Sequence, residues 1–415
     1  MQKPHPQNNF QGGRNCLICL LVAFWTLCLP GCPPKRTPLP AALMAEAAIP
    51  GMPGVRSPAC PTTPVFRRDL VTSFQQEMGC RSTDSRAEPP GIHILALSGG
   101  GSNGAFGAGL LCGWSETGTR PDFKIVTGIS TGALIAPFAF LGRGYDSTLR
   151  YLYTSLETSD LVGIWPRMIM NGTVDSLADS YKVANLIARY YDKELIQNIA
   201  RSHRQGRRLY IGTASLDANQ LVVWNMGAIA LHDTPEAVER FQQILVASVS
   251  IPILFPPEYF DVEAEGQPYD ELHVDGGVVR QVFVFDSIIN LQDIARQAGQ
   301  FTDRPAQLFI IQNLPTAPVY NPVKPLVTDI AQKAIMDLFS NQGVGDLYRI
   351  YAHTERHDMD FNLISIPPEF KPRRKELIDH QDMTRLFEIG LQMGRSDVPW
   401  QKKPPDHPND PEPHP

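Results

Sequence analysis

The chain has 415 residues, 43% of them apolar, and a formal net charge of -6 at pH 7. Its length allows one large hydrophobic core or two smaller ones. The negative charge argues against a general nucleic-acid binder, because such proteins use positive charge to neutralise phosphates. We therefore expect no nucleic-acid partner.

Basic residues precede an apolar run over residues 16–29, which is too short for a comfortable membrane span and is typical of a secretory signal. The run ends in Leu29-Pro30-Gly31-Cys32, which resembles the bacterial lipoprotein processing box apart from its proline. This pattern predicts a signal peptide over residues 1–31 and lipidation of Cys32, with localisation in the periplasm or outer membrane. An uncleaved anchor and a plainly secreted protein are the alternatives.

The next segment, residues 32–90, is predicted to be a tether and pre-domain segment. Residues 33 to about 65 are rich in proline and small residues, which favours an extended chain. In an exported protein Cys60 and Cys80 are candidates for a disulfide, whereas Cys112 is expected to be an inert buried thiol. No Cys/His spacing predicts a metal site.

The first motif joins an apolar strand over residues 92–97 to a glycine-dense turn and a helix of small residues. Gly99, Gly101 and Gly104 satisfy G-x-G-x-x-G, the dinucleotide fingerprint, between a strand and a helix. The same backbone NH groups also suit an oxyanion hole, which binds the charge that develops on a carbonyl oxygen during acyl transfer. This turn therefore suits either the phosphates of a dinucleotide or the oxyanion of acyl transfer.

A second strand over residues 122–127 leads into Gly128-Ile129-Ser130-Thr131-Gly132 and then an apolar helix to Leu141. Gly128 and Gly132 flank Ser130 in a G-x-S-x-G motif, and they permit the sharp turn that exposes a nucleophilic hydroxyl. A structural serine at a helix entry is the alternative. Pro137 is expected to kink the helix.

The end of the second strand distinguishes a dinucleotide-binding site from an oxyanion hole. A dinucleotide fold needs an acidic residue at the end of this strand, but Ser130 lies there and Asp122 lies at its beginning. Adjacent parallel strands would bring Gly99, Gly100 and Gly101 beside Ser130 at one edge of the sheet. The pair is therefore interpreted as an oxyanion hole beside a nucleophile.

Strands and helices continue to alternate, which predicts an α/β fold with a mostly parallel sheet and helices on both faces. Residues 145–205 are expected to include a lid, in which Trp165, Met168, Ile169 and Met170 either contact lipid or form a core cluster. The further predicted elements are a helix at 181–200, strands at 209–214 and 221–225, a helix at 236–249, strands at 272–274 and 308–312, a helix at 326–351, a strand at 361–366 and a helix at 375–393.

The base for Ser130 has two candidates. Asp275 ends a strand and precedes Gly276 and Gly277, so its carboxylate is expected at a closely approachable turn. A serine-histidine-aspartate triad would instead use His353, His357 or His380. The first two of these histidines lie four apart in a polar helical stretch, and we expect them to be solvated.

Three motifs in this order, with a supporting segment over residues 247–256, make the chain resemble the patatin-like phospholipases over residues 92–284. The motifs are Gly99-Gly100-Gly101-Ser102-Asn103-Gly104, Gly128-Ile129-Ser130-Thr131-Gly132 and Asp275-Gly276-Gly277. The resemblance implies a three-layer sandwich domain, placed here at residues 91–396 and followed by a disordered proline-rich tail at 397–415. It also implies a Ser130–Asp275 dyad without histidine, an oxyanion hole at Gly99, Gly100 and Gly101, and no metal or cofactor.

One position departs from this family, which commonly has Arg or Lys where this chain has Asn103. The departure bears on the preference for phosphate-bearing head groups. The function expected is hydrolysis of lipid acyl esters at a membrane surface. A triad esterase and a non-catalytic lipoprotein that holds a nucleotide or lipid phosphate are the alternatives. Acyl-chain preference and oligomeric state do not follow from the sequence.

Overall fold

A computed structural model describes residues 36–58, 64–80, 91–156, 163–164, 178–284, 290–300, 304–318, 320, 322–373 and 379–407. The predictions for the signal peptide, Cys32, Cys60, Trp165 and Met168–Met170 lie outside these residues. Among the helices described, none has the length and apolar character needed to cross a membrane.

Most strands belong to one nine-stranded sheet, whose five central strands are parallel in the order β6-β3-β2-β10-β11. Strands β7, β1, β9 and β8 extend it by antiparallel pairing on the β6 side, and β4 and β5 form a separate pair. The strands are β1 (Arg56–Pro58), β2 (His93–Leu97), β3 (Ile125–Ile129), β4 (Gly163–Ile164), β5 (Ala178–Asp179), β6 (Arg208–Ser215), β7 (Gln220–Asn225), β8 (Glu258–Ala264), β9 (Gln267–Asp275), β10 (Gln307–Gln312) and β11 (Asp360–Ser365).

Helices cover both faces of this sheet. They are α1 (Pro64–Cys80), α2 (Gly104–Glu116), α3 (Thr131–Leu141), α4 (Asp146–Thr154), α5 (Tyr181–Tyr190), α6 (Lys193–Arg204), α7 (Met226–Ala230), α8 (Pro235–Val249), α9 (Leu291–Gln297), α10 (Val327–Arg356) and α11 (His380–Arg395).

The alternation of buried side chains along β2 separates two apolar cores. Leu95 and Leu97 pack with α2, α3 and α11 on one face, whereas Ile94 and Ala96 pack with α1, α9 and α10 on the other. A strand buried on both faces needs apolar residues at every position, which is the pattern that β2 shows. The predicted α/β class with three layers and a mostly parallel central sheet is confirmed.

The segment predicted as an extended tether is folded in part. Within residues 36–58, Ile49 and Val55 are buried, and β1 pairs antiparallel with β7. Residues 64–80, within the predicted tether and pre-domain segment, form α1. Proline and small residues dominate the composition of the tether, but the few apolar side chains and one short strand are sufficient to attach it to the sheet.

The disordered tail predicted from residue 397 is likewise folded in part. Trp400 packs against Trp114 and Phe309 with ring centroids 5.1 and 5.2 Å apart, and Gln401 pairs with Leu363. A single aromatic residue among prolines is a weak signal in sequence, but here it closes one end of the core. The described domain therefore extends to residue 407.

Two other elements differ from the predictions. The helix expected at 181–200 is two helices, α5 and α6, and Asp192 caps the second by accepting a hydrogen bond from the Leu195 NH. The strand predicted at residues 272–274 is the end of the longer strand β9, which forms a hairpin with β8. Asp192 was a recognisable N-cap signal within the continuous helical pattern.

Candidate active site

The chain turns sharply at Ser130, between β3 and α3. Ser130 has φ 54° and ψ -127°, a backbone conformation that costs free energy in a residue with a side chain. Gly132 is required at this turn, since a Cβ there would lie 2.6 Å from the Ser98 carbonyl oxygen. The geometry is that of the predicted nucleophile elbow.

Ser248 fixes this turn from α8. Its hydroxyl accepts a hydrogen bond from the Ser130 backbone NH at 3.0 Å and donates to the Gly212 carbonyl at 2.8 Å. Ser248 lies within the segment over residues 247–256 that resembles the family, but sequence reasoning assigned it no role. A serine in an apolar helix gives no distinct signal for such a contact.

Strand register brings Asp275 beside the elbow. Ile129 pairs with Gly212 of β6, and Asp275 of β9 pairs with the next residue, Thr213. Strand β6 continues beyond the end of β3. Strand β9 pairs antiparallel with this continuation, so it runs back towards β3 and ends beside it. Asp275 and Ser130 therefore meet although their strands run in opposite directions.

Burial dominates the electrostatics of Asp275. It raises the pKa of the carboxyl group to about 7, against the lowering effects of the Ser130 side chain and the Gly277 NH. The Gly277 NH donates to Oδ1 at 2.7 Å, while Oδ2 is buried and accepts no hydrogen bond from the described residues. A carboxylate that titrates near neutral pH is matched to general-base catalysis.

The glycine turn lies against the elbow, and a Cβ on Gly99 would be 3.2 Å from the Ser130 Cβ. The Gly99 NH donates to the Gln281 carbonyl at 2.9 Å, so it is already engaged. Gly100 and Gly101, with φ of 157° and 57°, make no backbone hydrogen bond through their NH groups within the described chain. Of the three predicted donors, these two are the ones available to an oxyanion.

Gln281 links the glycine turn to the loop after Asp275. Besides accepting from Gly99, it donates its side-chain amide to the Gly277 carbonyl at 3.1 Å. Its own NH donates to Asp346 Oδ2 of α10 at 2.7 Å, and burial raises the pKa of Asp346 to about 6. Neither residue was singled out from sequence, because these contacts join positions 65 residues apart.

A buried polar network joins β9 to β1 and β6. The Arg56 guanidinium donates to Glu271 at 2.8 Å, and the His273 ring contacts Glu271 at 3.0 Å and Thr213 at 2.8 Å. Burial alone would raise the pKa of Glu271, but His273 and Arg56 lower it to about 2. His273 thus has both ring nitrogens engaged away from Ser130.

Two of the three histidines of the alternative triad lie away from Ser130. His353 and His357 are at the end of α10, next to the residues that begin β11, so they lie at the sheet edge opposite Ser130. His353 is buried, which corrects the expectation that it is solvated; the second half of α10 packs on the sheet. The His380 ring contacts the Leu156 carbonyl at 3.2 Å.

The remaining predicted residues shape the turns. Gly276 lies close to β6, since a Cβ there would be 2.7 Å from the Gly212 carbonyl oxygen, and Gly104 packs against Thr131. Asn103 is half-buried before α2, and its side chain makes no capping hydrogen bond. Its side chain therefore does not cap α2.

Comparisons with known proteins find similarity to one family and to several solved structures. A family model described as patatin-like phospholipase matches residues 95–286. The solved structures that align include VipD from Legionella pneumophila, at 13% identity and a TM-score of 0.32, and the type III effector protein ExoU, at 12% identity and a TM-score of 0.26. Each alignment covers 74% of this chain, and it spans 66% of the VipD chain and 54% of the ExoU chain. No curated protein matched.

The matched segment contains the glycine turn, Ser130, Ser248, Asp275 and Gln281. The patatin-like phospholipase family model therefore matches the part of the chain that carries this site.

Proposed function

We propose that the protein is a lipid acyl hydrolase that uses Ser130 as nucleophile and Asp275 as its base. The observation that carries this proposal is the strained elbow serine beside a fully buried carboxylate whose pKa is about 7. Ionised at and above neutral pH, such a carboxylate can accept the proton of a hydroxyl group. The patatin-like phospholipase family supplies the substrate class, carboxylic esters of lipids.

In the first step, Asp275 takes the hydroxyl proton as Ser130 Oγ forms a bond to the ester carbonyl carbon. The carbonyl oxygen becomes an oxyanion, for which the NH groups of Gly100 and Gly101 are the donors. Collapse of this intermediate breaks the ester bond, and the alcohol leaves with the proton held by Asp275. Water then attacks the acyl-enzyme with Asp275 again as base, which releases the fatty acid and restores Ser130.

The backbone donors matter as much as the side chains in this scheme. Removal of one oxyanion donor typically lowers kcat by about 100-fold or more. Gly101 is half-exposed, so a substrate carbonyl can approach it from solvent. Gln281 contributes indirectly, because it fixes Gly99 and Gly277 on either side of the reacting groups.

The main test is fatty-acid release from phospholipid vesicles. We expect Ser130→Ala and Asp275→Asn each to lose at least about 1,000-fold in rate. Ser396→Ala, a change at an exposed serine after α11, is the control and should match the wild type. Full activity of either dyad variant would refute the mechanism.

Two further experiments separate the alternatives. Replacement of His353, His357 and His380 together should leave turnover of a soluble ester within about threefold, whereas a triad predicts a loss of about 10,000-fold. A fluorophosphonate should label one equivalent of wild type and none of Ser130→Ala. Absence of labelling in the wild type would favour a non-catalytic binding protein.

We also propose that the protein is exported and anchored through Cys32 as a lipoprotein. The support is the apolar run over residues 16–29 and the processing box that ends in cysteine. Metabolic labelling with a palmitate analogue should mark the wild type and not Cys32→Ser. Equal labelling of both would refute lipidation at this residue.

A further inference from the structure

The first half of α10 carries its apolar side chains outward. Val327, Ile330 and Leu338 are 85%, 52% and 67% exposed, and they share one face, since spacings of three and eleven residues are close to whole helical turns. The charged pair Lys333 and Asp337 lies beside them, with 26% and 54% of the two side chains accessible. Large apolar side chains as exposed as these three are unusual on a surface helix that packs on a core. We call these three residues the apolar stripe.

The apolar stripe projects from the same edge of the sheet as Ser130. Helix α10 begins after β10 and returns to the start of β11, so it runs antiparallel to both strands. Gln342 and Asp346 are level with the loop after Asp275, because they bond to Val279 and Gln281 there. At 1.5 Å per residue, the part of the helix before Gln342 extends roughly 20 Å beyond this loop.

Arg36, the first of the described residues, also lies at this edge. The Arg36 guanidinium bonds to Asp217, in the turn after β6, and to Asp270 of β9, and both lie beyond the carboxyl end of β3. Cys32 is four residues earlier, so it lies at most about 14 Å from Arg36. An acyl chain on Cys32 would hold this edge close to a bilayer.

We propose that the apolar stripe docks into the surface of a phospholipid bilayer and presents the Ser130 edge to it. The inference rests on the proposed function, since a lipid ester must pass from the bilayer to the site. The charges around the stripe, Lys324, Asp329, Lys333 and Asp337, cancel. Docking therefore depends on burial of apolar side chains and occurs on neutral lipid with little dependence on salt.

Contact is tested with the full chain bound to phosphatidylcholine vesicles, by fluorescence quenching with brominated acyl chains. The signal measured is the fluorescence that Leu338→Trp adds to that of the wild type. We expect this added fluorescence to fall by more than half, at low and at high salt. The matched control is Tyr151→Trp, at a residue 44% exposed on α4, in the opposite helix layer. Equal quenching at the two positions would overturn the proposal.

Activity gives a second readout. Leu338→Glu should hydrolyse vesicle lipid about tenfold more slowly or worse, yet turn over a soluble short-chain ester as the wild type does, while Tyr151→Glu retains both activities. Unchanged vesicle hydrolysis in Leu338→Glu would contradict docking. So would sedimentation that shows a dimer dissociated by this substitution, because a second copy would then cover the stripe.

The two proposals fail in distinguishable ways. If the wild type hydrolyses neither substrate, the proposed function fails, while quenching at position 338 still reports docking. If soluble ester is hydrolysed through Ser130 and position 338 remains unquenched, only the docking surface is refuted.

Discussion

Replacement of Asp275 by Asn should abolish activity and at the same time stabilise the fold at neutral and alkaline pH. The carboxyl group is fully buried, and burial raises its pKa from 3.8 to about 7. Ionisation in the folded state is therefore unfavourable, and the wild type bears this free-energy cost whenever the Asp275 carboxyl group is ionised. Asparagine has nearly the same shape and carries no charge.

The direction and size of the change in unfolding free energy follow from proton linkage. Between about pH 4 and pH 7 the unfolded chain has lost this proton while the folded protein retains it, so the unfolding free energy falls as pH rises. A shift of about three pKa units corresponds to roughly 4 kcal/mol. The stability contribution is complete below about pH 4, is lost across this window and stays constant above it.

The assay is urea unfolding of wild type and Asp275→Asn at pH 4.5, 6 and 8. The unfolding free energy of the variant relative to wild type should increase across this series, by an amount on the order of 3 kcal/mol. Over the same range the activity of the wild type should rise with an apparent pKa near 7. A difference in unfolding free energy that is independent of pH would refute the reasoning, because it would mean that Asp275 is ionised normally.

Three other substitutions test the surroundings of the site. Gly99→Ala would place a Cβ 2.7 Å from Gln281 Oε1, and we expect kcat to fall about tenfold or more, measured on a soluble ester, with a stability loss of about 1–3 kcal/mol by urea unfolding. Arg56→Ala leaves Glu271 buried without its cation and should cost about 3–5 kcal/mol by urea unfolding at pH 7; a loss below about 1 kcal/mol would contradict the network. Asn103→Arg should raise kcat/KM for an anionic phospholipid over a neutral one by about three- to tenfold, and an unchanged ratio would show that this position does not face the head group.

The local parts of the site could be predicted from the sequence. Strand, glycine turn and helix follow one another within about 20 residues at both Gly99 and Ser130, and each turn needs residue types that few other structures require. Because the two strands are parallel neighbours, their turns had to lie at the same edge. The structure confirms that edge, with Leu97 paired to Gly128.

The contacts between distant segments could not be predicted. Arg56 and Glu271 are 215 residues apart, and a proline-rich composition concealed the short strand that carries Arg56. The hydrogen bond from the Gly99 NH to the Gln281 carbonyl could not be predicted either, because backbone hydrogen bonds do not depend on residue type. Composition describes how a segment behaves alone, whereas these segments are ordered by the sheet against which they pack.

Strand β6 accounts for the positions of Ser130 and Asp275 in the proposed dyad without a third side chain to orient them. Its consecutive residues Gly212 and Thr213 pair with the strand that ends in Ser130 and with Asp275. The separation of the proposed nucleophile and base is therefore set by sheet hydrogen bonds, which vary far less than loop conformations. Ser248 reinforces the same strand by joining the Gly212 carbonyl to the Ser130 NH. In a triad the histidine is oriented by its carboxylate, whereas in the proposed dyad the backbone of one strand positions both partners directly.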